Sequence, residues 1–178
     1  SLEGRGPEEY TGPYINDLAQ AALERFGPDL LKKEEKEAAR TLGSFAVEKL
    51  LEEIRRDCLE MGVEFDRWFS ENELAASTPL ILQKLHEKNL TRRSEGALWF
   101  APKDEFLADR ESVLEKTNGS LTYFANDIAY HVDKLERRFD RLIDVWGSNH
   151  HGHVPRVKAA LSGLGYDPEK LQVVLYQY

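Results

Sequence analysis

Tyr123 and Asp127, four residues apart in Leu121-Thr-Tyr-Phe-Ala-Asn-Asp-Ile-Ala-Tyr130, are the pair with the most specific chemistry open to it. A carboxylate with a phenol beside it can hold a cation in a pocket. Toward a planar guanidinium the carboxylate accepts two parallel N–H bonds, a charge-assisted geometry stronger than a point contact. The alternative is an ordinary aspartate in a first helical turn beside a core tyrosine. Glu71, between Trp68, Phe69 and Leu74, is either a second carboxylate for the same cation or a solvated loop glutamate. His150, His151 and His153 are three of the five histidines and share the loop Gly147-Ser-Asn-His-His-Gly-His153. Three readings are open for them. They can ligate a divalent metal with Asp144 or Asp127 as an outer carboxylate. They can line a nucleotide or substrate pocket as donors and stacking surfaces, or simply be surface residues. Adjacent histidines do not easily point into one site, and no cysteine or distant histidine completes a metal set.

These residues need elements to position them. Leu121, Tyr123 and Ala125 alternate with Thr122 and Phe124, which predicts a strand over 121–125 behind the Asn118-Gly119 turn. Asn126 then offers an N-cap, and Ile128, Ala129, Val132, Leu135 and Phe139 recur at helical spacing. Asp127 would stand in the first turn, where the helix dipole favours an ionised carboxylate. An apolar strand at 142–146, a helix at 154–164 and a last strand at 171–176 follow. Strand, helix, strand, helix, strand implies parallel βαβ units, whose ligands bind at the carboxyl ends of the strands. Upstream, Pro13 opens a helix that Gly27-Pro28 ends, and residues 34–61 read as a long helix with Gly43 as a candidate break. Gly62 is its expected C-terminal cap. A weak alternation over 63–69 suggests a short strand. Ser77-Thr78-Pro79 starts a helix that stops at Asn89, and 90–93, 97–101 and 112–116 read as antiparallel strands. The fold class is α/β with a helical N-terminal layer, divided as 1–62, 63–117 and 118–178.

Composition narrows the function. At 178 residues the chain can bury one substantial core, with or without a small helical annex. A formal charge of −8 argues against a broad phosphate-binding face. Lys84, Lys88, Arg92 and Arg93 form a basic cluster too small to outweigh it. The single cysteine, Cys58, excludes an intramolecular disulfide, fits a reducing compartment and reads as a buried thiol on a helix face. No apolar run approaches the roughly 18 residues of a membrane span, and no signal peptide is visible. A soluble, cytoplasmic protein without membrane partners is expected. Residues 1–12 read as loop, and the uncapped apolar end Val173-Val-Leu-Tyr-Gln-Tyr178 reads as that of a fragment.

Several blocks together resemble bacterial arginyl-tRNA synthetases: Gly96-Ala-Leu-Trp-Phe100, Asn118-Gly-Ser-Leu-Thr-Tyr-Phe-Ala-Asn-Asp-Ile-Ala-Tyr130, and Asp144-Val-Trp-Gly-Ser-Asn-His-His-Gly-His153. Tyr10-Thr-Gly-Pro-Tyr-Ile-Asn-Asp17 and Gly62-Val-Glu-Phe-Asp-Arg-Trp-Phe-Ser-Glu71 agree. The resemblance implies a class I aminoacyl-tRNA synthetase, which joins arginine to its tRNA through an adenylate with ATP and magnesium. It implies a helical insertion followed by part of a Rossmann-type catalytic domain. Tyr123, Asp127, Glu71 and His151 would belong to the arginine pocket, and Gly147, His150 and His153 to a loop facing the nucleotide. Neither a His-Ile-Gly-His nor a Lys-Met-Ser-Lys-Ser signature occurs in the sequence. An internal fragment is therefore expected: monomeric, without catalytic residues or a metal of its own, holding no ATP and binding tRNA weakly. The rival readings are a non-catalytic synthetase-like amino-acid-binding module and a histidine-loop metal protein.

Overall fold

Proline and glycine set the limits of the first helix. Pro13 occupies the first helical position of α1 (Pro13–Phe26), where its missing N–H costs nothing, and Gly27 leaves the helix at φ 69°. The computed structural model describes residues 12–102 and 112–177, so most of the expected leading loop and the connection over 103–111 fall outside the described residues. The chain forms two compact units, Ser1–Arg67 and Trp68–Tyr178.

The first unit is helical. After α1 a short 3₁₀ turn (Pro28–Lys32) leads into α2 (Glu35–Glu60), which runs unbroken through Gly43. The tolerated glycine costs about 1 kcal/mol relative to alanine, too little to interrupt a helix of this length. α2 ends in a Schellman arrangement. The Val63 N–H donates to the Cys58 carbonyl at 2.8 Å and the Gly62 N–H to that of Leu59 at 2.9 Å, with Gly62 at φ 73°. Ala22, Leu30 and Phe45 are buried here, and Phe26 meets Phe45 edge-on at 5.4 Å. Cys58 is half-buried rather than buried, and Ile54, on the same stripe, is exposed. Residues 63–69 form no strand, in contrast to the weak alternation of their sequence.

The second unit opens with a 3₁₀ turn (Glu71–Leu74) fixed by a capping box between Ser70 and Glu73. Helix α3 (Ser77–Glu87) follows, and Asn89 at φ 57° turns the chain into an antiparallel sheet of β1 (Thr91–Ser94), β2 (Ala97–Phe100) and β3 (Ser112–Glu115). Then come α4 (Tyr123–Glu136), β4 (Leu142–Gly147), α5 (Val154–Leu164) and β5 (Leu171–Tyr176). β4 and β5 pair in parallel from Leu142 opposite Leu171 to Gly147 opposite Tyr176, so β4, α5 and β5 form the expected βαβ unit. Leu85, Phe100, Leu114, Ile128, Val157, Leu161 and Leu171 are fully buried in one core that joins this unit to the antiparallel sheet. The opposite face of the parallel pair leaves Ile143, Val145, Val174 and Tyr176 exposed.

A further expectation is corrected. Residues 121–125 are not a strand; Leu121 makes only an isolated bridge to Glu115, and the helix begins at Tyr123. Thr122, not Asn126, is the N-cap. Its hydroxyl oxygen accepts from the Ala125 N–H at 3.3 Å and donates to the Val113 carbonyl at 2.7 Å. Phe124, Ala125 and Ile128 are all buried, which is the spacing of a helix face and not of a strand. The helical pattern therefore extends backward through the apparent alternation.

Candidate functional site

The earlier helix start moves Asp127 into the second turn of α4, beyond the reach of the terminal dipole. A side chain holds it instead. His153 Nε2 donates to Asp127 Oδ2 at 2.6 Å, and the two side chains are only 7% and 17% exposed. His153 stands just ahead of α5, in the loop that leaves the carboxyl end of β4. The βαβ crossover thus delivers the histidine and α4 delivers the carboxylate. Tyr123, one turn before Asp127 on α4, lays its ring against His153 at 5.1 Å between centroids. Trp146, near the end of β4, meets the same imidazole from another side at 5.4 Å.

Carboxylates set the electrostatics around the Tyr123 phenol. Although the Tyr123 side chain is 54% exposed as a whole, its phenol is pushed up to about 12. Burial is the largest cause, followed by the Asp127 carboxylate, to which it hydrogen-bonds, and then Glu71 and Asp144. Each carboxylate disfavours phenolate by like-charge repulsion. Glu71 reaches the site from the 3₁₀ turn and is held by Asn126, whose Nδ2 donates to Glu71 Oε1 at 2.5 Å. Asp144 lies beneath, on β4. His131 Nε2 and Lys134 Nζ each donate to it at 2.8 Å, and the His131 Nδ1 faces the Asp127 carbonyl at 2.7 Å. Burial alone would raise the Asp144 carboxyl, but the bonds from His131 and Lys134 outweigh it and hold the group below the usual carboxylate range.

The structure thus brings together Tyr123, Asp127, Glu71 and His153. His150 is half-buried at the rim, 6.3 Å from the rings of both Tyr123 and Trp146. His151 is exposed, and its Nδ1 donates to the Ser148 carbonyl at 3.2 Å. His150 and His153 therefore share Tyr123 and Trp146 as neighbours, and His151, adjacent to His150, turns away from them. Gly147 packs closely: a Cβ there would lie 2.6 Å from Asn149 Oδ1, so a larger residue would displace that side chain. Among the described residues no group of three or more His, Cys, Asp or Glu side chains is placed to hold a metal ion. Asp127 and Asp144 each serve a different histidine, through separate hydrogen bonds. Also among the described residues, no helix is long and apolar enough to cross a membrane.

Four contributors were not singled out as site residues by the sequence reading: Asn126, His131, Lys134 and Trp146. His131 carried a usable signal, since it lies four residues after Asp127 and therefore on the same helix face. Asn126 did not, because its partner is 55 residues away.

Residues 26–178 match the family described as tRNA synthetases class I (R), catalytic domain. The chain belongs to that family. The chain is 44% identical over 179 residues to the arginine–tRNA ligase of Oleidesulfovibrio alaskensis, covering 99% of itself and 32% of the relative. It is 41% identical to that of Thioalkalivibrio sulfidiphilus, covering 99% of itself and 30% of the relative. A Campylobacter jejuni structure assigned as an arginyl-tRNA synthetase superposes with a TM-score of 0.84 at 34% identity, over 98% of this chain and 38% of that one. The Thermus thermophilus arginyl-tRNA synthetase gives 0.63 over 92% of this chain and 34% of that one. At 22% identity that likeness concerns the fold alone. The chain therefore spans about a third of the length of these relatives.

Proposed function

We propose that this chain is the arginine-recognising part of an arginine–tRNA ligase, and that Tyr123, Asp127 and Glu71 receive the substrate guanidinium. The observation that carries the reading is the Asp127 carboxylate, held by His153 at 2.6 Å one turn after Tyr123, with a second carboxylate, Glu71, tied to the same helix by Asn126. An anionic recess of this kind attracts a cation and repels an anion. Asp127 gives one oxygen to His153, which orients the carboxylate and leaves further lone pairs on both oxygens for a forked donor. Tyr123 walls the recess and offers its hydroxyl, and Glu71 supplies a second negative charge. The exposed His151 and the rim residue His150, with Gly147, would face the amino-acid and nucleotide portions of the substrate. The names of the relatives, all arginine–tRNA ligases, support the same ligand.

In the whole enzyme ATP, magnesium and tRNA would be the other participants, with magnesium arriving on the nucleotide phosphates. The helical first unit would be an insertion into the catalytic domain. The test is steady-state kinetics of Asp127→Asn in the complete ligase, with arginine and ATP varied in turn. Truncating one partner of a desolvated charge pair costs about 3–5 kcal/mol. Arginine use should therefore fall by roughly two to four decades, at about tenfold per 1.4 kcal/mol. ATP dependence should stay nearly constant, because adenine and phosphates would be held elsewhere. An unchanged arginine dependence, or equal damage to both substrates, would return Asp127 to the status of an ordinary helix carboxylate.

A further inference from the structure

Asn126 precedes Asp127 on α4 and spans two other elements. Its Nδ2 donates to Glu71 Oε1 on the 3₁₀ turn, and its Oδ1 lies 3.1 Å from the hydroxyl of Thr78 in the first turn of α3. Thr78 is fully buried, and its hydroxyl also lies 3.0 Å from the carbonyl of Leu74, the last residue of the turn that carries Glu71. The partners fix the orientation of the amide. An ionised carboxylate only accepts, so the NH₂ end must face Glu71, which leaves Oδ1 to share the single Thr78 hydroxyl proton with the Leu74 carbonyl. Reversing the amide would press two acceptor oxygens together at 2.5 Å. A second observation shows which way Glu71 faces. Asn126 lies three residues after Tyr123 on α4, hence on the same helix face, which sets the carboxylate it holds on the side of α4 that carries Tyr123.

We infer that Asn126 is the positioning residue for Glu71: it anchors one carboxylate oxygen and leaves the other to the cation. This rests on the reading of the recess as an arginine pocket. Two carboxylates held at separate points suit a planar, forked guanidinium with donors along more than one edge. They offer less advantage to an ammonium, which is a compact point charge. Asn126 thereby contributes to discrimination of arginine from lysine without touching the ligand itself.

The test uses the whole chain, isotope-labelled, followed by NMR. In the first measurement the side-chain amide of Asn126 is compared in the wild type and in Glu71→Gln, a substitution at an exposed position that should leave the fold intact. The Asn126 Nδ2 protons should shift and exchange faster with solvent once the anionic acceptor is gone. In the second, L-arginine and L-lysine are titrated into the wild type, Glu71→Gln, Asn126→Ala and the double variant. Each single substitution should weaken arginine roughly tenfold or more, as for the loss of a hydrogen bond to a charged group. The double variant should be no weaker than the weaker single one, because both act through one contact. The response to lysine should change little, which a general loss of structure would not reproduce. An Asn126 amide indifferent to Glu71→Gln overturns the proposal, as do losses that multiply in the double variant. A responsive amide with no arginine response by the wild-type chain overturns the arginine reading instead, so the two failures are distinct.

Discussion

Asp144 is the residue whose removal should cost the fold most. It is buried, and it is the shared acceptor of His131 and Lys134. Asp144→Asn leaves the Lys134 ammonium without its counter-charge and gives His131 a weaker acceptor, and breaking such a buried pair costs about 3–5 kcal/mol. Urea unfolding at neutral pH measures it. The acid limb gives a second readout with a definite sign. Because the folded carboxyl is held below its ordinary value, its contribution is present above the unfolded value of about 4 and disappears as pH falls through the folded one. Stability of the wild type should therefore drop below about pH 4, and Asp144→Asn should flatten that drop. An equally steep acid limb in the variant would assign the loss to other carboxylates. The same side chain matters to the recess above it, since His131 links Asp144 on β4 to the Asp127 carbonyl on α4.

At the scale of elements, the start of α4 decides where the site residues stand. Thr122 sets that start with two bonds, one to the Ala125 N–H and one to the Val113 carbonyl of β3. Losing an N-cap of this kind costs about 0.5–2 kcal/mol, and the second bond adds to it. Thr122→Ala should therefore destabilise the chain by about 1–2 kcal/mol and fray the turn that carries Tyr123. Thr122→Ser, which keeps the hydroxyl, should restore most of the loss. Hydrogen exchange of the Ala125 and Asn126 amides reads the fraying locally, and protection unchanged in Thr122→Ala would remove the cap from the account. The helix then presents Tyr123 and Asp127 toward the loop that follows β4, while Ile128 and Val132 anchor it in the core.

For the whole molecule, charge and missing signatures set two expectations. The chain carries a formal charge of −8 and neither of the two phosphate-handling signatures of class I synthetases. By itself it should not make arginyl-adenylate. ATP–pyrophosphate exchange with arginine tests this, and exchange clearly above a protein-free control would show that the chain holds its own nucleotide site. Its affinity for arginine tRNA should stay at or below the non-specific range of about 10⁻⁴ to 10⁻⁶ M at physiological salt. Selective binding tighter than that, in an anisotropy titration, would mean that a basic surface such as the one near Lys84 and Arg93 acts despite the net charge.

The sequence determined by itself what is local. Helices α1, α3 and α5 and strands β4 and β5 lie where proline, glycine, asparagine and apolar spacing placed them, because each signal and its effect fall within a few residues. The parallel βαβ reading followed from their order, and the candidates Tyr123, Asp127 and Glu71 from residue type and resemblance. Tertiary structure decided the rest. The strand expected at 121–125 became the first turn of α4 because Thr122 found its second partner in Val113, nine residues back on another element. His153 reached Asp127 from 26 residues away, and Asn126 reached Glu71 from 55. No periodicity encodes such pairs. They exist only once a shared core, closed by Phe100, Ile128, Val157 and Leu171, has brought the 3₁₀ turn, α4 and the histidine loop to one place.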